Sequence, residues 1–152
     1  MFKVSSSNAL SSALIACLLL SVMTMAHDED GPSPSGFADI DISRQGGDGA
    51  QALANADAVC PSSLGAKAIE AIRVIAEDAE KKFFNPALKA AASSEEKKAI
   101  QCQKDRNKVL KNKCQLTKAL LQGDQGQIDT NTKQLKKNTG DVTTRCVGVN
   151  TD

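Results

Sequence analysis

Four cysteines beyond the first 26 residues are placed almost as mirror images about two breaks in the helical pattern. Cys60 and Cys114 are equidistant from residue 87, beside Asn85-Pro86. Cys102 and Cys146 are equidistant from residue 124, inside Gly123-Asp124-Gln125-Gly126. If each break turns one helix back on the next, each pair lies side by side, and the pairing Cys60–Cys114 and Cys102–Cys146 follows. Cys102 and Cys114 are twelve residues apart, about 18 Å along an α-helix, too far to bond to each other. Their directions on that helix differ by about 120°, so each faces a different neighbour. The expected fold is all-α: an antiparallel array of two long helices and a weaker third, crosslinked by two disulfides, after a disordered acidic arm.

The fifth cysteine belongs to a leader. Lys3 precedes the apolar run Ala13-Leu14-Ile15-Ala16-Cys17-Leu18-Leu19-Leu20, and Thr24-Met25-Ala26 supplies small residues before a cleavage site. This is the pattern of a signal peptide over 1–26, and the run is shorter than the ~20 residues that span a bilayer. Cleavage removes Cys17 and leaves an even number of cysteines, as a disulfide framework in an exported chain requires. The expectation is therefore a secreted, extracellular protein with no integral membrane segment after cleavage.

Charge is balanced in total but divided along the chain. Removing Lys3 brings the 19 basic side chains level with the 18 acidic ones. Residues 27–60 carry Asp28, Glu29, Asp30, Asp39, Asp41, Asp48 and Asp57 against Arg44 alone, whereas residues 93–122 carry eight Lys or Arg against Glu95, Glu96 and Asp105. Residues 27–57, with Gly31-Pro32-Ser33-Pro34-Ser35-Gly36 and Gln45-Gly46-Gly47-Asp48-Gly49, read as a disordered acidic arm, because so few large apolar groups cannot offset the entropy of ordering. Residues 58–152 then form the disulfide-linked helical domain.

Within that domain, Pro61-Ser62-Ser63 opens a helix on which Ile69, Ile72, Ala76, Ala79 and Phe83 keep three- and four-residue spacing. Proline disfavours the helical state of its predecessor, so this helix is expected to end at Asn85-Pro86, with Pro86 able to open a further short turn through Ala92. Ser93 and Glu96 have the spacing of a capping box, and the helix they start runs to Gln122, where Gly123 stops it. Its apolar positions cover a broad arc, as suits a central helix between two neighbours. The third segment keeps Ile128, Thr132, Leu135, Thr139, Val142 and Cys146 in phase. Its threonines, asparagines and Gly140 are poor helix formers, which predicts a break near Asn138-Thr139-Gly140.

Catalytic chemistry finds little support. The one histidine, His27, would begin the mature chain; the copper-dependent polysaccharide oxygenases also begin with histidine, but their site needs a second one. A Ser-His or Cys-His pair cannot be assembled in the core. Glu77, Asp78 and Glu80 cluster, as acids on a solvated helical face do. The cysteines lack the short paired spacing of a zinc site. No enzyme activity, cofactor or metal is expected, and Asn-x-Ser/Thr is absent.

The most suggestive surface is basic. Lys97, Lys104, Lys108, Lys111 and Lys118 fall within roughly 80° on the wheel of the second helix. Such a stripe is either a solvated face or a site for an anionic extracellular polymer, a lipid head group or an acidic protein. Exchange of Lys104, Lys108 and Lys111 for Glu is expected to spare the fold, since none lies on the apolar arc. Nucleic acid is disfavoured, since no aromatic residue interleaves with the lysines. The leader, the acidic low-complexity arm and the pattern Cys60, Cys102, Cys114, Cys146 together resemble the small secreted effector-type proteins of fungi and similar filamentous microbes. That resemblance implies an exported protein that acts on a host or cell-wall component by binding rather than turnover. A carrier of a lipid or other apolar ligand, lined by Ile69, Ile72, Val109, Leu116 and Leu120, is the alternative.

Overall fold

A computed structural model describes residues 36–151; the expected signal peptide, His27 and the first part of the expected arm lie outside them. Every regular element among the described residues is helical. Helix α1 spans Gly49–Val59. A 3₁₀ turn, Ser62–Leu64, leads into α2, Gly65–Ala79. A π turn, Glu80–Phe84, joins α2 to the short α3, Asn85–Ala90. The long helices α4, Ser94–Gln122, and α5, Gln125–Arg145, complete the domain.

Helix α4 is the hub. It packs on α1, α2, α3 and α5, whereas the backbones of α2 and α5 stay more than 8 Å apart. The register is visible in the side-chain pairs: Lys118 meets Glu70, Lys111 meets Glu80, and Lys104 meets Asn85, so α2–α3 runs antiparallel to α4. Arg145 meets Asp105 across α4 and α5, which are antiparallel in turn. Both expected disulfides are present. Cys60–Cys114 and Cys102–Cys146 have Cα separations of 5.4 and 5.3 Å, within the range a disulfide needs. They close sequence separations of 54 and 44 residues, worth about 4 kcal/mol each in the chain-entropy picture.

The caps of α4 form as the sequence predicts. Ser93 Oγ accepts from the Glu96 amide at 3.0 Å, and the Glu96 carboxylate reaches back to the Ala92 amide at 2.7 Å. Gly123 closes the helix at φ 68°, a left-handed conformation that glycine adopts at little cost.

Three features differ from expectation. First, the arm is packed from Gly36 onward. Phe37, Ile42, Ala52 and Ala56 are buried; Phe37 stands edge-on to Phe84, with ring centroids 5.9 Å apart. Asp48 caps α1 through the amides of Ala50 and Gln51. Small side chains let α1 sit close against both α4 and α5, so few large apolar groups suffice. Second, Pro86 does not end the helix. The wide turn at Glu80–Phe84 accommodates a ring that would clash in a regular α-helix, and the reversal comes at 91–93 instead. Third, α5 is continuous through Asn138-Thr139-Gly140. The hydroxyls of Thr130, Thr139, Thr143 and Thr144 bond back to carbonyls four residues earlier, while Leu135, Val142 and Cys146 anchor it in the core.

One residue reports on the first difference. A Cβ on Gly49 would stand 2.1 Å from the Thr139 carbonyl oxygen and 2.5 Å from Thr143 Oγ1. In a free or loosely tethered segment, Gly→Ala in a helix is stabilising. Here we predict that Gly49→Ala lowers stability by about 1–3 kcal/mol through overpacking, read as a fall in the midpoint of chemical denaturation.

Candidate functional site

Because α2 and α5 stand apart on either side of α4, one face of α4 is left as the floor of a groove between them. The expected lysine stripe lies on that floor. It is not a free basic face. Lys104 Nζ donates to Asn85 Oδ1 at 2.6 Å and lies 3.9 Å from Glu80. Lys111 pairs with the same Glu80 carboxylate. Lys108 pairs with Asp105 at 3.2 Å, and Lys118 with Glu70 at 2.9 Å. These four side chains are half-buried, at 16–32% exposure. Their alkyl stems fill the seams beside α4 and their charges are matched across them. Exchanging Lys104 and Lys111 for Glu would set acids against Glu80, so the fold is not indifferent to that change. Of the five, Lys97 alone is exposed and has no carboxylate within ion-pair distance among the described residues.

The acidic cluster is divided in the same way. Glu77 is held by Arg73 and Lys81, Asp78 by Lys82, and Glu80 by Lys111. Three acids therefore serve separate cations, as i,i+4 pairing or cross-helix contact dictates. The aliphatic side chains considered for a ligand cavity are spent elsewhere. Ile69 and Val109 are fully buried, Ile72 and Leu116 pack on the same cluster, and Leu120 is exposed.

A buried polar layer underlies the groove. Asp105, 1% exposed, accepts from Gln101, Lys108 and Arg145. Arg106, 2% exposed, donates to the carbonyls of Ser43 and Gly47 and to Thr151 Oγ1. It thereby fastens the chain before α1 and the chain after α5 to the hub. Asn107 donates to the Ala76 carbonyl at 2.8 Å. The sequence did not mark these three consecutive residues, because a buried polar triplet looks like a solvated one until its partners are known.

Two depressions open on the groove. At the end nearest α3, Leu88, Ser94, Lys97, Lys98, Gln101 and Arg145 surround about 520 Å³. No acid lines it. Lys97 and Lys98 are exposed, and Arg145 is held by Asp105 at 3.2 Å and Asp141 at 3.6 Å. At the other end is a smaller polar cavity of about 180 Å³ between Glu70, Lys118 and Asn131.

With this geometry established, comparison with known proteins gives one match. A family model described as "Domain of unknown function (DUF8454)" covers residues 33–145. The chain belongs to this family. The matched stretch begins before Gly36 and takes in α1, in keeping with the packed arm and with a domain boundary well ahead of residue 58. No curated protein and no solved structure matches.

The pairs along α2 and α5 carry a pH signature. Lys81, with Arg73, holds the Glu77 carboxyl down to about 2 from its ordinary 4.5. Hydrogen bonding lowers Glu70 (chiefly from Arg73) and Asp141 (chiefly from Lys137). These folded-state values lie below the unfolded ones, so the unfolded chain binds more protons as the solution turns acid. The stabilisation is complete above the unfolded values and is lost as pH falls through the folded ones. We predict that denaturation midpoints decline between pH ~4.5 and ~2, and that Glu77→Gln flattens the decline.

Proposed function

We propose that this protein acts outside the cell as a non-enzymatic interaction module that engages an anionic partner at the Lys97–Lys98–Arg145 depression. The leader-like residues 1–26 and the two disulfides support export, since such bonds persist in oxidising compartments. No helix among the described residues is long and apolar enough to cross a membrane. The observation that carries the binding reading is the contrast along one groove. The four lysines from Lys104 to Lys118 are matched by carboxylates, while Lys97 and Lys98 converge with Arg145 where no acid lines the wall.

Such a cluster draws anions over a Debye length of about 8 Å at physiological salt. Arg145, oriented by Asp105 and Asp141, offers a fixed guanidinium; the two lysines supply mobile charge around it. Leu88 gives the floor an apolar spot for the carbon skeleton of a sugar or side chain. A uronic or sulfated extracellular polysaccharide has this chemistry, as does an acidic protein segment. The effector-like role implied by the overall organisation of the chain fits a partner of either kind.

Binding to immobilised polygalacturonate or dextran sulfate tests the reading. Lys97→Glu with Lys98→Glu should weaken retention roughly tenfold and lower its salt dependence. Lys133→Glu with Lys136→Glu, the same charge change on exposed positions of α5, should have a much smaller effect. Equal losses in the two double variants would reduce the interaction to overall charge and remove the depression from the account.

A further inference from the structure

The polar cavity at the opposite end of the groove holds a different kind of surface. Its charged members are closed on one another. Glu70 accepts from Arg73 at 2.8 Å and from Lys118 at 2.9 Å, and Arg73 turns its remaining nitrogen to Glu77. Hydrogen bonding from Arg73 holds the Glu70 carboxyl below its ordinary value, and the set is internally matched. What remains unmatched is amide. Gln115, Gln122, Gln127 and Asn131 line the cavity, and their side chains make no hydrogen bond among the described residues. Asn131 is only 5% exposed. It is absent from the sealed polar atoms without partners, so its carboxamide opens into the cavity rather than into the core.

A side-chain amide nine-tenths buried and without a partner is uncommon, because each carboxamide carries two donors and an acceptor that burial would strand. Here the buried Asn131 of α5 meets the half-buried Gln115 and the exposed Gln122 and Gln127 around one space of about 180 Å³, enough for a few waters or one small ring. Ala119 is the one apolar residue among those that line it, and the remaining apolar surface is alkyl stem of polar side chains, so an apolar ligand finds little to cover. The ionic groups are matched, so neither an anion nor a cation finds a free counter-charge.

We propose that this cavity is a binding site for a neutral polyhydroxylated molecule, the size of one monosaccharide. Hydroxyl groups both donate and accept, as carboxamides do. Vicinal hydroxyls can bridge Asn131 and Gln115 while a third reaches Gln122 or Gln127. The outward nitrogen of Lys118 and the edge of Glu70 provide charge-assisted partners without adding net charge. No aromatic ring is present for stacking, so affinity is expected on the order of millimolar for a single sugar. This site is separate from the anion-binding depression and does not rest on it.

The test is an NMR titration of the ¹⁵N-labelled protein with both disulfides intact, following side-chain amide pairs. The probes are glucose, galactose, mannose and N-acetylglucosamine, with glycine and inorganic phosphate as comparisons. At least one sugar should give saturable shifts at Asn131 and Gln115, and neither glycine nor phosphate should. Asn131→Leu should abolish the shifts at Gln115, with the melting temperature read alongside to confirm that the fold is kept. Gln115→Ala, a half-buried change that the fold tolerates, should weaken binding about tenfold and decides the matter if the first variant unfolds. Shifts that never saturate with any sugar, saturation by glycine or phosphate alone, or unchanged titration in the Gln115 variant would overturn the proposal.

Discussion

The placement of two disulfides on one helix, at Cys102 and Cys114, is the constraint on which the rest of this structure depends. A regular helix turns these residues about 120° apart, so each crosslink fastens a different neighbour to α4. One ties the junction of α1 and α2, the other the end of α5. Such fastening matters because α4 is polar for a hub. Asp105, Arg106, Asn107, Asn112 and Thr117 are all buried on it; the first three offset desolvation by bonding to carbonyls and side chains, most of them on neighbouring segments. Asn107 Oδ1 and Thr117 Oγ1 are sealed without a partner, a cost that covalent closure of the domain helps to offset.

Much of this was legible in the cysteines. Mirror spacing about a turn is a geometric statement that survives even when the turn is misplaced. The first reversal occurs at 91–93 rather than at Asn85-Pro86, yet Cys60 still meets Cys114, because α2, the π turn and α3 fold back as one unit. The capping residues of α4 were equally legible, since Ser93, Glu96 and Gly123 act through local bonds and a single dihedral. The arm was not. Its composition is that of a segment unable to fold alone, and that is accurate as far as it goes; Ala52, Ala56 and Gly49 contribute by being small against α4 and α5, a property that composition scores as weakness. The continuity of α5 depends on the same contacts.

The lysine stripe shows the corresponding limit for function. A helical wheel correctly gathers Lys104, Lys108, Lys111 and Lys118 on one side, but it cannot say what stands opposite. Glu70 on α2 and Glu80 at the start of the π turn lie at the antiparallel register that meets Lys118 and Lys111, so the stripe largely joins helices. Only its end, beside the short α3, leaves Lys97 exposed with no ion pair among the described residues. The unpaired carboxamides at the other end had no sequence signature, because glutamine and asparagine on a helix are ordinarily solvated.

The claim that α4 is a hub with one neighbour fastened by each crosslink is tested most directly by native-state hydrogen exchange on the parent and on Cys102→Ala/Cys146→Ala. In the parent, amides of α1 and of the last turns of α5 should be protected, with those of α4 the slowest. In the variant, protection should fall first in the last turns of α5 and in α1, which packs on it, while α2 and the centre of α4 stay protected by Cys60–Cys114. Uniform loss across all helices, or an α1 that exchanges freely in the parent, would contradict the account.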